Sequence, residues 1–358
     1  MGKIKAWTEL ITKLGPVGNV ANRFEKVNRF LILHSLIHDG LFDFLNQPRT
    51  FQEISEGKGY KDTDYLKEVL DTLVSDKEAV IVLNASTGKY SKHPSFAVPE
   101  LKELLSVSDF EKIYNAARVP KNFANQLPNR LKGENITFAG RLDEIGPQLF
   151  DYDEALTNKI YTALRAVAFG FTPPKTIPGD NLLDIGCGAG RETAELWLKF
   201  QGEKKITAVD PVKSFIETAR NEFPQILAEV AHETKKNTPI PELTEKNYPE
   251  FKVMRAEQLD FDDNSFDSIF FQQILHWTSD PRKAVLEIGR VLKPGGIVFG
   301  NQGTLPVGTP YMQLNMRVHK EVTGFFPHES FLKWLEEAKI VNFKEVTPAG
   351  TFRGRKAV

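Results

Sequence analysis

The run LDIGCGAG at residues 183–190 decides the fold, because it joins a short apolar strand to an incoming helix. Gly186, Gly188 and Gly190 alternate with other residues, and this spacing lets the backbone turn tightly and lie close to a ligand. The N-terminus of the following helix adds free N–H groups and the positive end of a dipole. The run therefore predicts a small-molecule site at the carboxyl end of a strand.

Around this run, short apolar strands alternate with helices. We predict strands at residues 181–184, 205–210, 252–254, 268–271 and 297–299, and helices at 192–200, from 212 to 222, and at 281–292. This alternation is typical of an α/β domain with a doubly wound, mostly parallel sheet and helices on both faces.

The first hundred residues have a different pattern. Apolar residues recur at helical spacing over 22–46, and Thr50 with Glu53 has the spacing of a capping box that starts a second helix. A third helix should start at Asp62 or Thr63, before a β-hairpin formed by residues 79–83 and 89–91. Three helices followed by a hairpin is the order of a winged-helix unit.

Three segments follow from these patterns. We predict a winged-helix-like domain at 1–107, a helical connector at 108–175 and the α/β domain at 176–358. The proline-rich run TPPKTIPGD at 172–180 is the best linker in the chain.

Composition excludes several classes of protein. The net charge is −1, so no global attraction to nucleic acid or to an anionic membrane is expected. Cys187 is the single cysteine, which rules out a disulfide framework within the chain and a cysteine-based zinc cluster. No apolar run reaches the length of a membrane span. We expect a cytoplasmic protein without a membrane or nucleic-acid partner.

A glycine-rich turn alone is weak support for a cofactor site, since it also occurs as a plain strand-to-helix connection. Two details add to it. The nicotinamide dinucleotide fingerprint requires glycine where Arg191 stands, which disfavours such cofactors. Asp210 ends the next strand, where a carboxylate can accept both hydroxyls of a ribose.

The run at 183–190 closely resembles the first motif of class I S-adenosylmethionine-dependent methyltransferases. The resemblance continues in chain order through AVDP at 208–211, AEQL at 256–259, SFD at 265–267 and RVLKPGG at 290–296. It spans most of residues 180–303 and implies a mostly parallel, seven-stranded, Rossmann-like sheet with S-adenosyl-L-methionine as cofactor.

The resemblance also implies roles for individual residues. The glycines approach the methionyl part of the cofactor, Asp184 helps to hold its amino group, and Asp210 binds its ribose. The implied cofactor-binding residues are Asp184, Gly186, Cys187, Gly188, Gly190, Asp210, Pro211, Glu257, Gln258, Gln272 and Gln273. Glu257 and Gln258 are expected beside the adenine, and Gln272 and Gln273 beside the sulfonium. For Gln273 the alternative is an inward-facing partner of backbone groups.

The front end is similar to that of small-molecule O-methyltransferases, which form homodimers through a winged-helix unit, and this resemblance implies that 1–107 is a dimerisation domain and that the chain forms a homodimer. In that subfamily a histidine after the fourth strand removes the proton of the substrate hydroxyl, and His276 falls on that position. The acidic residues that accompany this histidine have no match here, so a packing or capping role for His276 stays open. We expect Trp277 and His328 to contact the substrate, with an ordinary helix start at His328 as the alternative.

Two further features have competing interpretations. His34 and His38 lie four residues apart, as in a metal pair, but no third ligand is apparent and we predict no metal site. The long connection at 223–251 is either a lid over the pocket or a solvated surface excursion.

The leading functional hypothesis is methyl transfer to a small-molecule acceptor, most simply to a hydroxyl oxygen with His276 as general base. A carbon, nitrogen or sulfur methyltransferase without a histidine base is the nearest alternative. A winged-helix DNA-binding regulator that senses the cofactor is a different class. The acidic residues of 62–76 argue against it, because they would repel phosphate. A catalytically inactive dimerisation partner is a third class, and the intact acidic and glycine positions argue against it.

Overall fold

The computed structural model describes residues 17–98, 118–144, 158–234, 240–305, 309–346 and 350–358. The predicted boundary between the first domain and the connector, at residue 107, lies outside these residues, as does the chain start.

The N-terminal part is helical and ends in a hairpin, in the predicted order. Its helices are α1 (Val17–His38), α2 (Leu41–Phe44), α3 (Phe51–Lys58) and α4 (Thr63–Val74), and its strands are β1 (Arg49–Thr50), β2 (Ile81–Asn84) and β3 (Lys89–Lys92). The three strands form a small antiparallel sheet in the order β1-β3-β2. The identity of this unit as a winged helix stays a prediction.

Local signals set the helix ends in this part. The Thr50 side chain accepts the N–H of Glu53, and the Glu53 carboxylate accepts the N–H of Thr50. The predicted capping box is therefore confirmed. Asp62 caps α4 by accepting the N–H of Tyr65. The single helix predicted over 22–46 is wrong, because Gly40 adopts a φ of +78° and separates α1 from α2.

The connector is helical where it is described. Its helices are α5 (Arg118–Ala124), α6 (Leu127–Leu131), residues 138–144 and α7 (Asn158–Phe171). Ala124, Leu127 and Leu131 are buried in the same core as the N-terminal helices. These two short helices therefore belong by packing to the N-terminal part.

The second part of the chain is built on the predicted seven-stranded sheet. Its strands are β4 (Asn181–Ile185), β5 (Lys205–Asp210), β6 (Glu250–Val253), β7 (Phe266–Gln272), β8 (Leu292–Asn301), β9 (Ile340–Val346) and β10 (Thr351–Lys356). Their order is β6-β5-β4-β7-β8-β10-β9. The first five in this order are parallel, and β10 is antiparallel to both of its neighbours. A mostly parallel sheet is thus confirmed.

Helices cover both faces of this sheet. They are α7, α8 (Arg191–Lys199), α9 (Lys213–Thr234), α10 (Pro281–Val291) and α12 (His328–Glu337), whereas α11 (Pro310–Arg317) packs in the N-terminal core. Leu182 and Phe270 face α8 and α9 in one core, while Leu183 and Phe271 face α10 and α12 in the other. Strands buried on both sides explain why these runs are continuously apolar.

The connection predicted to begin at residue 223 is helical over 223–234, which corrects the sequence-based view of that part. Phe223, Leu227 and Val230 repeat at helical spacing on the buried face of α9, and this burial continues the helix past Pro224. Residues 235–239 lie outside the described residues. Farther on, Trp197 donates to the carbonyl of Asn247, so the connection lies against α8. A lid role stays a prediction.

Helix α11 follows β8 in the chain but packs in the N-terminal core. Tyr311, Leu314 and Val318 are buried among the residues of α1 and α4. The Tyr65 hydroxyl donates to the carbonyl of Leu314 over 2.8 Å. The segment predicted as the α/β domain therefore contributes one helix to the first core and ties the two parts together.

Candidate functional site

The strand order creates a crevice at the carboxyl ends of β4 and β7. From β4 the chain runs outward to β5 and β6, then returns to β7 on the other side of β4. Helices that leave such a switch point diverge to opposite faces, which opens a place for a ligand. The glycine-rich turn follows β4, and the segment with Gln273 and His276 follows β7. The fold therefore brings these two segments together.

The three glycines of the turn all have positive φ, but the space around them differs. Their φ angles are +79° at Gly186, +54° at Gly188 and +94° at Gly190. A Cβ at Gly186 would overlap the side chain of Ile274, and one at Gly190 would come to 3.0 Å from Ala219. A Cβ at Gly188 would meet nothing within 4 Å. Gly188 thus exposes its backbone to open space, as a ligand-binding turn requires.

Asp184 is a buried carboxylate with one oxygen left for a ligand. Its Oδ2 accepts the hydroxyl of Thr193 at 2.6 Å. Its Oδ1 has no hydrogen-bond partner among the described residues. Burial raises the pKa of Asp184 to about 7. A cationic group placed against Oδ1 would satisfy this atom, so the residue fits the amino group of the predicted cofactor.

Asp210 organises the turn at the end of β5. Its Oδ2 accepts the N–H of Gly188 at 3.0 Å and its Oδ1 accepts the N–H of Val212 at 2.9 Å. Burial raises the pKa of Asp210 to about 6. Each carboxylate oxygen keeps a second lone pair, which is what two ribose hydroxyls need. The neighbouring Pro211 is half-buried at the same strand end.

Cys187 is buried within the turn, and burial raises the pKa of its thiol well above the usual value. It is a neutral, apolar group at neutral pH and does not have the thiolate character of a reactive cysteine. Its backbone N–H donates to Val209 at 3.1 Å. Its contribution is therefore to the shape of the turn.

The two residues expected beside the adenine differ in their surroundings. Glu257 is buried, and its Oε1 accepts both the N–H and the hydroxyl of Ser279, at 2.8 and 3.0 Å. Gln258 is exposed, and its N–H closes a turn onto the carbonyl of Arg255. Glu257 thus holds the segment after Trp277 in place.

The two glutamines at the end of β7 bind the neighbouring strand β8 and the residues that follow it. Gln272 accepts the side-chain amide of Asn301 at 3.1 Å. Gln273 has a φ of +53°, and its Oε1 accepts the N–H of Gly303 at 2.9 Å. The described structure therefore uses both side chains to connect the ends of β7 and β8.

His276 is buried in a short 3₁₀ turn, Leu275–Trp277, and its ring stacks on Phe325 with centroids 4.3 Å apart. Its Nδ1 lies 3.1 Å from Nε2 of Gln302, which is at the end of β8. Burial lowers the pKa of His276 to about 3, so the ring is neutral at pH 7. Sequence reasoning missed this partner because it sought a carboxylate after β8.

An aromatic cluster lies beside this histidine. Trp277 stacks on Phe138 with ring centroids 4.6 Å apart, and Phe123 meets Trp277 edge-on at 6.3 Å. His319 is fully buried and packs edge-on against Phe123 at 4.4 Å. The segment 138–144 brings Phe138 here, while its Asp143 accepts the N–H of Ser214 at the start of α9. The connector thus contacts both the segment after β7 and the start of α9, which its sequence alone did not indicate.

His328 lies at the first turn of α12, as the alternative for this residue expected. Its Nε2 is 3.3 Å from Glu345 and its Nδ1 is 3.3 Å from the hydroxyl of Thr304. Its contact with a substrate stays a prediction. In the part of the chain that the structure describes, His34 and His38 belong to no group of three metal-ligating side chains. No helix there is long and apolar enough to cross a membrane.

Comparisons with known proteins agree with this geometry. Residues 183–300 match a family described as a methyltransferase domain. An uncharacterized methyltransferase of Mycobacterium tuberculosis is 30% identical over 115 residues, which are 32% of this chain and 36% of that protein. The malonyl-[acyl-carrier protein] O-methyltransferase of Serratia marcescens is 27% identical over 154 residues, 42% of this chain and 49% of that protein. The matches thus span one third to one half of these curated relatives.

Solved structures resemble the chain over nearly its whole length. The CurJ carbon methyltransferase aligns with a TM-score of 0.71 and 15% identity, covering 98% of this chain and 96% of that one. The DszA carbon methyltransferase gives 0.67 and 15%, covering 98% and 93%. The citrinin polyketide synthase CMeT domain gives 0.64 and 17%, covering 99% and 94%. At these identities the likeness establishes the fold, including its N-terminal part.

Proposed function

We propose, from the premise that this chain contains a class I S-adenosylmethionine-dependent methyltransferase domain, that the protein methylates a carbon atom of a small carbonyl compound. The cofactor half of this proposal rests on the turn after β4. Gly188 leaves open space, Asp184 has an unpartnered buried oxygen, and Asp210 lies at the end of the adjacent strand. These groups fit a cofactor that has both a cationic amino group and a ribose.

Within this site the chain's own residues bind and orient. The cofactor, when bound, supplies an electrophilic methyl group on a sulfonium. Asp184 and Asp210 would fix its two polar ends, and the turn between them would fix its depth in the crevice. Because methyl transfer needs an aligned nucleophile, such positioning accounts for much of the catalysis.

The choice of carbon as the acceptor atom is supported by two observations. The whole-chain fold is shared with three proteins described as carbon methyltransferases or a CMeT domain. In addition, His276 is neutral and has its Nδ1 beside an amide rather than a carboxylate, which is a poor arrangement for removing a hydroxyl proton. The O-methylation hypothesis keeps one supporting observation, the O-methyltransferase relative of Serratia marcescens.

Product analysis with labelled cofactor separates these outcomes. The full chain is incubated with S-adenosylmethionine labelled with ¹³C in its methyl group and with a β-ketoacyl thioester. A phenol and the same thioester with two methyl groups already on its α-carbon serve as comparisons. We expect a C–CH₃ signal in the ¹³C spectrum from the first acceptor and none from the blocked thioester. An O–CH₃ product from the phenol or from the enol oxygen would overturn carbon methylation. No labelled product from any of the three would refute it as well.

A further inference from the structure

The hydrogen bond between Gln302 and His276 determines which ring nitrogen has the proton. Gln302 is almost fully buried, and its side-chain amide makes three hydrogen bonds. Its Oε1 accepts the N–H of Leu275 at 3.1 Å. Its Nε2 lies 2.8 Å from the carbonyl of Gly303 and 3.1 Å from Nδ1 of His276.

These partners fix the orientation of the amide. A backbone N–H can only donate and a backbone carbonyl can only accept, so the oxygen of Gln302 must face Leu275 and its nitrogen must face Gly303. The second hydrogen of the amide nitrogen then points to Nδ1 of His276. Nδ1 therefore accepts a hydrogen bond, and the single proton of the neutral ring must be on Nε2.

The Nε2–H group is left for a ligand. The His276 side chain is 4% exposed. Within the described residues its ring makes no hydrogen bond other than the one to Gln302. Its Nε2 is not among the described side-chain atoms that are fully enclosed without a partner, so an acceptor atom of a ligand can reach it. The ring lies after β7, next to Ile274, whose side chain packs on Gly186 of the cofactor turn.

His319, the other histidine near Trp277, shows that burial alone does not place the ring proton on Nε2. His319 has its Nδ1 3.0 Å from the carbonyl of Met316, so that nitrogen donates and its Nε2 is an acceptor. His276 lies beside Trp277 and His319 beside Phe138, and the two histidines have opposite tautomers. The hydrogen-bond partner of Nδ1, a side-chain amide in His276 and a backbone carbonyl in His319, determines which ring nitrogen has the proton.

We propose that Gln302 is a positioning residue that holds His276 as the Nε2–H tautomer, and that His276 donates this N–H to the carbonyl oxygen of the methyl acceptor. The second half rests on the proposed function, because it concerns the acceptor of that reaction. His276 then stabilises the negative charge that develops on the oxygen as the acceptor becomes an enolate. His276 neither gains nor loses a proton, and the proton lost from the acceptor carbon passes to water.

The tautomer can be measured without any methyl acceptor. The full chain with ¹⁵N-labelled histidine is observed by long-range ¹⁵N–¹H correlation between pH 5 and pH 8, and the His276→Gln variant identifies the resonance. We expect a neutral ring with the proton on Nε2 and no titration in this range. A proton on Nδ1, or a titration between pH 5 and 8, would overturn the proposal even if the protein methylates carbon.

The Gln302→Glu variant tests whether Gln302 determines the tautomer of His276. A carboxylate in this place can only accept, so the ring should switch to the Nδ1–H tautomer and its pKa should rise. Gln302→Asn, which keeps an amide but shortens the side chain, is the matched comparison and should retain the Nε2–H form in part. An unchanged His276 tautomer in Gln302→Glu would contradict the positioning role.

Activity measurements show whether His276 donates a hydrogen bond to the acceptor or only packs against Phe325. His276→Phe keeps an aromatic ring against Phe325 but removes the donor, and we expect kcat to fall about a hundredfold with cofactor affinity unchanged. Gln302→Glu should lower kcat and add a pH dependence that the wild type lacks. If the NMR result holds but no carbon product forms, the proposed function fails and the assigned tautomer stands. Wild-type kcat in His276→Phe would refute the role of the donor.

Discussion

The crevice has two edges that are built by different kinds of contact. The cofactor edge is the turn at 186–190 with Asp184 and Asp210, and the acceptor edge is the segment 273–277 with Gln302. At the cofactor edge, Asp184 binds Thr193 and Asp210 binds Val212 within single strand-to-helix turns, although Asp210 also joins its strand end to Gly188 of the neighbouring turn. At the acceptor edge, the pairs join distant segments, as in Gln302 with His276. A short motif can therefore specify the first edge, whereas the second exists only once β7 and β8 are side by side.

This difference has a functional consequence. The cofactor edge is a glycine-rich turn with carboxylates whose charge a bound cation can balance. The acceptor edge has neutral amides, imidazoles and aromatic rings, with burial keeping both histidines uncharged near pH 7. Changes at the cofactor edge should therefore alter affinity for the cofactor, and changes at the acceptor edge should alter turnover and acceptor choice.

The largest effect is expected for Gly186→Val at the cofactor edge. Valine is strained at a φ of +79°, and its Cβ would overlap Ile274, so the turn must move. We expect no detectable cofactor binding in calorimetry. Gly88→Val is the matched control, because Gly88 has a φ of +65° with open space around its Cβ, and it should lose stability but keep cofactor affinity.

A milder variant covers the case in which Gly186→Val does not fold. Gly188→Ala adds a methyl group into the open space of the turn without meeting a protein atom. It should fold and bind the cofactor more weakly. Wild-type affinity in Gly188→Ala would show that the open space is not the ligand site. The assignment of cofactor binding to this edge would then be wrong.

A smaller effect is expected for Asp210→Ala, which should weaken cofactor binding by at least about tenfold, since two hydrogen bonds to a charged group are lost. Asp71→Ala on the exposed face of α4 is the control and should bind normally. Calorimetry measures both affinities. An unchanged affinity in Asp210→Ala would remove this residue from its assigned role.

The same contrast explains how much could be predicted. The strand at 205–210, the turn at 183–190 and the capping box at Thr50 depend on local patterns, and the structure has them as predicted. The parallel seven-stranded sheet followed from the motif resemblance. The roles of individual cofactor-binding residues stay predictions.

The acceptor edge could not be predicted because its contacts are not local. The sequence showed only that His276 has no acidic partner, and the amide of Gln302 became informative once its three partners were known. Phe138 comes from a connector with no strand or motif signal, yet it stacks on Trp277. Helix α11 packs in the N-terminal core although β8 precedes it, and no periodicity within α11 indicates which core it joins.

The smallest predicted effect concerns the pH dependence of cofactor affinity. Burial raises the pKa of Asp184 to about 7, and a cation against its free oxygen favours the charged form. Binding should therefore release a proton, and affinity should rise several-fold from pH 6 to pH 7.5. Calorimetry in two buffers of different ionisation enthalpy counts the protons. Asp184→Asn, which can still accept from Thr193, should bind more weakly and lose most of this dependence.

The ligand-free protein should show the opposite trend in stability. Because the folded pKa of Asp184 lies above the unfolded value of about 4, the native state binds this proton more tightly. This contribution to the free energy of unfolding is therefore complete below pH 4 and is lost as pH rises through 7. At about 1.4 kcal/mol per pKa unit, it amounts to a few kcal/mol at most. Asp184→Asn should then be more stable than wild type at pH 8 but not at pH 4, and equal stability curves would mean that this carboxylate is not desolvated at the cofactor edge.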